Sequence, residues 1–196
     1  MQPITLDDIQ NLHDYELGRT DTRRRVIDLK RRRRVALGPL MTLVFENRDT
    51  VRFQIQEMLR AERIVRPEKV QEEIDVYNEL LPASGEVSAT LFIEVTDPAA
   101  VQATLDRFIG LDEPGRLVLL VGDRTFPASF AAGQSREDRI SAVHYIRFPL
   151  AEEGRALLAR GGQASLKVAH GGYAAEAVLA PETLEELRRD LEPDRG

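Results

Sequence analysis

The chain has 196 residues, 42% of them hydrophobic and 31% charged, enough for a domain with its own core and too few apolar runs for a membrane protein. It has no cysteine, which excludes disulfides, thiolate metal sites and cysteine nucleophiles. The net charge of −6 is uneven. Residues 1–36 carry nine Lys/Arg and six Asp/Glu, net +3, leaving 27 − 9 = 18 basic and 33 − 6 = 27 acidic residues, net −9, for the rest. An acidic body with a basic N-terminal segment argues against whole-surface nucleic-acid binding.

The first residues lack the basic and apolar regions of a signal peptide, and Val35 to Phe45 is too short to span a bilayer, so a cytoplasmic location is expected. Thr5-Leu6-Asp7-Asp8 reads as a helix start, with a Thr cap, acids in the first turn and Leu6, Ile9 and Leu12 on one face. Gly18 is expected to end that helix. A second is expected from Asp21 toward Arg34, carrying Asp21/Arg25, Arg24/Asp28 and Asp28/Arg32 at i,i+4 spacing. Gly38-Pro39 breaks the chain, and Leu40 to Phe45 reads as a strand buried on most sides. Val51, Ile55, Met58 and Leu59 favour a helix over about 49–64. Pro67 starts another, with Val70, Ile74, Tyr77 and Leu81 as its apolar stripe.

Pro82-Ala83-Ser84-Gly85 is the candidate boundary between a helical part with one strand, 1–82, and a sheet part, 83–196, of one integrated domain. Beyond it the period changes from 3.6 to 2. Val87, Ala89, Leu91, Ile93 and Val95 alternate with Glu86, Ser88, Thr90 and Glu94. Asp97-Pro98 caps a helix that Gly110 closes, and Leu117 to Val121 is an unbroken apolar strand turning at Gly122-Asp123. Residues 128–139 read as a mobile polar loop. A strand over Ala142 to Phe148, a helix over Ala151 to Arg160, a hairpin of Ala164–His170 with Tyr173–Leu179, and a helix over Pro181 to Leu191 complete the chain. The fold class expected is α+β, a helical N-terminal part packed on a mainly antiparallel sheet with helices on one face.

No phosphate-binding loop, dinucleotide fingerprint, nucleophile elbow or H-E-x-x-H metal motif is present, so no catalytic constellation and no cofactor are expected. Three groups of residues qualify as candidate ligand or partner sites. His144 shares a strand face with Ala142, Ile146 and Phe148, and His170 is in phase with Ala164, Leu166 and Val168. Both imidazoles therefore point toward the apolar side, where they need a hydrogen-bond partner, a metal or a ligand. Glu46, Asn47, Arg48 and Arg52 lie where a strand feeds a helix N-terminus. Such a corner either caps the helix internally or clamps an anion between two arginines at i,i+4. Arg31, Arg32, Arg33 and Arg34 extend a basic run that is either a solvated face or a docking surface for an acidic protein.

Three segments carry a family resemblance: Val26-Ile27-Asp28-Leu29-Lys30-Arg31-Arg32-Arg33-Arg34-Val35-Ala36-Leu37-Gly38, Phe45-Glu46-Asn47-Arg48-Asp49-Thr50-Val51-Arg52-Phe53-Gln54-Ile55-Gln56-Glu57-Met58-Leu59-Arg60, and Ser141-Ala142-Val143-His144-Tyr145-Ile146-Arg147-Phe148. Together they resemble the bacterial family catalogued as domain of unknown function 3501, over nearly the whole chain. The resemblance brings no activity or catalytic residues. It implies an accessory or interaction role beside rubrerythrin-like and iron–sulfur redox proteins in oxidative-stress chemistry, with a redox protein as partner. Homo-oligomerisation is left open. The alternatives are a metal- or small-ligand-binding protein built on the strand histidines, and anion or nucleotide binding at the Glu46–Arg52 corner.

Overall fold

A computed structural model of the chain describes residues 1–133, 135, 136 and 139–192. Thr5 and Asp8 form the expected capping box, but around a single 3-10 turn, Leu6–Asp8. Helix α1 (Leu12–Arg32) then runs unbroken through Gly18, so the expected stop at Gly18 is corrected to one long helix. A mid-helix glycine costs about 1 kcal/mol. Tertiary contacts on both sides of it offset that: Tyr15 and Val26 are buried, Arg19 bonds Glu57 at 2.8 and 2.7 Å, and Arg60 bonds Glu16 at 2.6 and 3.1 Å. The helix surface pairs at i,i+3, Asp21–Arg24 and Asp28–Arg31, rather than i,i+4, because Arg32 turns away to another helix.

The remaining elements are β1 (Arg34–Ala36), β2 (Met41–Phe45), α2 (Arg48–Glu62), α3 (Pro67–Asn78), β3 (Glu86–Ile93), α4 (Val101–Asp106), β4 (Leu117–Val121), β5 (Arg124–Pro127), β6 (Ser129–Phe130), β7 (Ser135–Arg136), β8 (Arg139–Ile140), β9 (Val143–Pro149), α5 (Ala151–Ala159), β10 (Ala164–His170), β11 (Tyr173–Val178) and α6 (Pro181–Leu191). The segment expected as a mobile loop over 128–139 holds β6, β7 and the start of β8. Residues 134, 137 and 138 of it lie outside the described residues. Short β1 follows at once, starting at Arg34 where the helix was expected to end; it pairs Val35 with Leu43 and Ala36 with Thr42.

The fold is α+β with two larger antiparallel sheets. The first has the order β1-β2-β3-β9-β6 and the second β11-β10-β4-β5, while β7 and β8 pair separately. Strands from both sides of residues 82–85 meet in the first sheet, where β2 pairs with β3. One core draws on both sheets, joining Phe45, Leu91, Ile146 and Phe148 to Leu119, Leu166 and Val168, with Leu158 of α5 and Leu187 of α6. A second cluster joins Ile4, Val51, Ile55 and Leu59 of α2 and Ile74 of α3, with Tyr77 and Tyr145 packed against it. The first sheet is therefore covered on both faces. Its polar alternate positions Thr42, Ser88 and Thr90 are buried, at 3–4% exposure.

One tether spans the two sheets. The Tyr173 hydroxyl donates to the Leu37 carbonyl at 2.6 Å and accepts from the Leu40 amide at 3.2 Å, clasping the β1–β2 turn to β11. Gly38, at φ +74°, lies so close to that hydroxyl that a Cβ there would overlap it. The turn needs glycine for its left-handed backbone and for this approach.

Candidate functional site

The first sheet lays a polar row beneath α2 and α3. Antiparallel pairing puts Val44, Thr90 and Tyr145 side by side, and Ser88, Arg147 and Ser129 in the next row. Glu46 joins that second row, because its amide donates to the Ser88 carbonyl at 2.9 Å. Alternation then sends Thr90, Tyr145, Ser88 and Arg147 to one face, opposite Ile146 and Phe148.

Glu46 is 3% exposed. The Thr90 hydroxyl donates to Oε1 at 2.6 Å, and the Thr50 hydroxyl to Oε2 at 2.5 Å. Thr50 is fixed by the helix cap: Asn47 Oδ1 accepts from the Thr50 amide at 3.0 Å, and the Asn47 amide donates to the Thr50 hydroxyl at 2.9 Å. Among the described residues no cation pairs with Glu46. Burying a carboxylate without a counter-charge is costly, and two hydroxyl donors compensate only part of it.

Glu46 opens onto a cavity of about 540 Å³ between α3 and the sheet. Tyr145, Ser88 and Arg147 line its sheet side, Glu73, Tyr77 and Glu79 its helix side, and Ser129 to Ala132 its third wall. Burial pushes the Tyr77 and Tyr145 phenols up, and the neighbouring Glu46 carboxylate raises Tyr145 further, so both remain protonated at neutral pH. Arg147 is already engaged, donating to Glu86 Oε1 at 2.7 Å and to the Glu79 carbonyl. The volume is that of a small-molecule site, with polar and charged groups set into a partly aromatic wall.

The corner bearing Glu46 is braced from behind. Arg33, with no exposed side-chain area, bonds Asp190 at 2.7 and 2.8 Å and Glu186 at 3.3 Å, both on α6. Arg32 bonds Glu186 at 2.8 Å, and its carbonyl accepts from the Thr183 hydroxyl at 2.6 Å. The Arg33 carbonyl accepts from the Phe45 amide, and burial pushes the Asp190 carboxyl up against the opposing pull of Arg33 and Asn47. The end of α1, the start of α2 and α6 are thus locked together beside Glu46.

The structure scatters the other residues picked out by sequence. Of Arg31 to Arg34, only Arg31 and Arg34 have side chains more than half exposed, beside Asp28 and Glu94 respectively; Arg33 is internal because it meets the carboxylates of α6. Arg48 bonds Asp8 at 2.5 Å and Arg52 bonds Asp49 at 2.9 Å, so the two guanidiniums point to different carboxylates rather than to a shared anion. Asn47 is the helix cap that the corner allowed for. The histidines stand on different sheets. His144 Nε2 donates to the Ser141 carbonyl at 2.8 Å, with its ring edge-on to Phe130, and burial pulls its pKa down. His170 Nε2 donates to the Ile109 carbonyl at 2.7 Å. Each ring keeps a buried Nδ1 without a partner among the described residues. No group of three His, Asp or Glu side chains able to hold a metal occurs among the described residues.

Of the cavity's residues, the sequence singled out Glu46 alone. The signal for the others was the second face of β3 and β9, where Ser88, Thr90, Tyr145 and Arg147 alternate with the core positions. That face reads as solvent-facing until α2 and α3 are known to cover it.

A family model described as "Protein of unknown function (DUF3501)" matches residues 3–191. Comparison with curated proteins finds no match. Among solved structures, the chain is similar to a novel protein of unknown function from Burkholderia pseudomallei K96243. The two are 33% identical with a TM-score of 0.91, over 97% of this chain and 100% of that one. No helix among the described residues is long and apolar enough to cross a membrane.

Proposed function

We propose that this chain, which belongs to the DUF3501 family, is a small-molecule-binding protein whose ligand sits between α3 and the first sheet. The observation that carries the reading is Glu46: a buried carboxylate on the wall of a 540 Å³ cavity, held by two threonine hydroxyls and lacking a cation among the described residues. A carboxylate needed only for packing would be better replaced by a neutral side chain, because the two threonine hydroxyls compensate only part of its desolvation. Retaining it is the usual mark of a site that trades stability for recognition.

The contact-surface reading, an accessory protein docking a redox partner through Arg31 to Arg34, is supported only by the exposure of Arg31 and Arg34. The binding reading rests on a formed cavity and takes precedence.

A fragment library titrated into 15N-labelled protein tests it. Shifts are expected to cluster at Tyr77, Ser129 to Ala132, Tyr145 and Arg147, and to vanish in Ala131→Trp, whose indole would occupy the cavity mouth. Clustering elsewhere, unaffected by that substitution, would overturn the proposal.

A further inference from the structure

We infer that the ligand of this cavity carries a positively charged nitrogen, a protonated amine or quaternary ammonium, seated between the Glu46 carboxylate and the phenol rings of Tyr77 and Tyr145. The inference rests on the binding reading above and adds the chemical class of the ligand.

Charge is the first argument. Among the described residues, three acidic residues line the cavity, Glu46, Glu73 and Glu79, against one arginine, Arg147, giving 1 − 3 = −2. Arg147 does not offset Glu46, since its Nη1 is held by Glu86 and its Nη2 by the Glu79 carbonyl. An anionic ligand would meet net negative charge in a partly desolvated space, where Coulomb energies are several-fold larger than in water. A neutral ligand would fill the volume but deepen the desolvation of Glu46 with no compensation. A cation alone improves both terms.

The walls are the second argument. Among the described residues Glu46 receives only neutral O–H donors, one on each oxygen, so each oxygen keeps acceptor capacity for an N–H donor. Tyr77 of α3 and Tyr145 of β9 both line the cavity, and both remain neutral. Neutral phenol rings attract cations through their faces within about 6 Å, and aromatic walls with a carboxylate are a recurrent solution for ammonium recognition. Every element needed is built into the fold: the row of paired strands sets Tyr145, the α2 cap sets Thr50, and the Arg33–Asp190 brace sets the corner.

Three probes of one shape and different charge test this on the full chain by NMR titration: 2-phenylethylamine, 2-phenylethanol and phenylacetate. The amine is expected to bind at least tenfold more tightly than the other two. Glu46→Gln, which keeps the shape and two polar atoms for the threonines, is expected to weaken the amine at least tenfold while leaving the alcohol unchanged. Ala131→Trp is expected to abolish binding of all probes, with circular dichroism confirming the fold of both variants. If the alcohol or phenylacetate binds as well as the amine and Ala131→Trp abolishes it, the cavity is a binding site and the cationic class is wrong. If no probe shifts the cavity residues at millimolar concentration, or Ala131→Trp leaves binding intact, the binding reading itself falls.

Discussion

Replacing Arg33 with methionine should unfold the chain far more easily than a change at a basic-run arginine would suggest. The side chain is fully buried, and its three bonds to Asp190 and Glu186 engage carboxylates that are themselves 9% and 7% exposed. Met fills much of the same volume but leaves Asp190 inside without its guanidinium. Glu186 keeps Arg32 at 2.8 Å. Stranding one partner of a buried pair costs about 3–5 kcal/mol. For a chain of this size each kcal/mol moves the melting midpoint by about 2–4 °C, so a fall of about 6–20 °C is expected. The double variant Arg33→Met/Asp190→Leu removes the stranded charge and should recover most of the loss. Thermal melts and urea unfolding followed by circular dichroism measure both. A single variant melting within about 2 °C of wild type, or a double variant less stable than the single, would refute the brace.

Three further outcomes are expected. Arg19 holds the Glu57 carboxyl below the usual carboxylate range, against a rise from burial and with help from the Tyr15 hydroxyl. A carboxyl depressed in the folded state stabilises fully above its unfolded pKa of about 4.3, and this is lost as pH falls through the folded value. Urea midpoints at pH 7, 5, 4 and 3.5 should therefore fall more for wild type than for Glu57→Gln, and parallel curves would contradict this. Gly38→Ala should cost about 1–3 kcal/mol from left-handed backbone strain plus overlap with the Tyr173 hydroxyl. Tyr173→Phe should cost a similar amount by leaving the Leu37 carbonyl and Leu40 amide unbonded. The double variant should cost less than the sum, since phenylalanine relieves the overlap. Glu46→Gln in the unliganded protein should hold or raise the melting midpoint, because it removes a buried charge that has no cation among the described residues; a fall of several degrees would show that the carboxylate serves the fold.

Much of the fold was readable because its signals are local. Pro67 at the first turn of α3, the alternation of β3, the apolar run of β4 and the Gly171-Gly172 turn, with φ of 57° and 76°, each act within a few residues. The misreadings came where tertiary contacts overrode local preference. Gly18 looks like a stop, yet Arg19–Glu57 and Arg60–Glu16 hold α1 through it. Arg34 reads as the end of the helix, yet pairing with Val44 of β2 makes it the start of an edge strand. The same limit governs the site. His144 was rightly placed on the inward face, but what it meets, the Ser141 carbonyl and Phe130, depends on neighbours a pattern does not name. Ser88, Thr90, Tyr145 and Arg147 show only that β3 and β9 have a polar side. Only the packing of α2 and α3 over that side turns it from a solvated face into a cavity wall.

The most direct test of the account is a crystal structure of the chain with 2-phenylethylamine. The account predicts the ammonium nitrogen within hydrogen-bonding distance, about 3 Å, of a Glu46 carboxylate oxygen, with the phenyl group between Tyr77 and Tyr145. An empty cavity, or an amine bound away from Glu46, would contradict it.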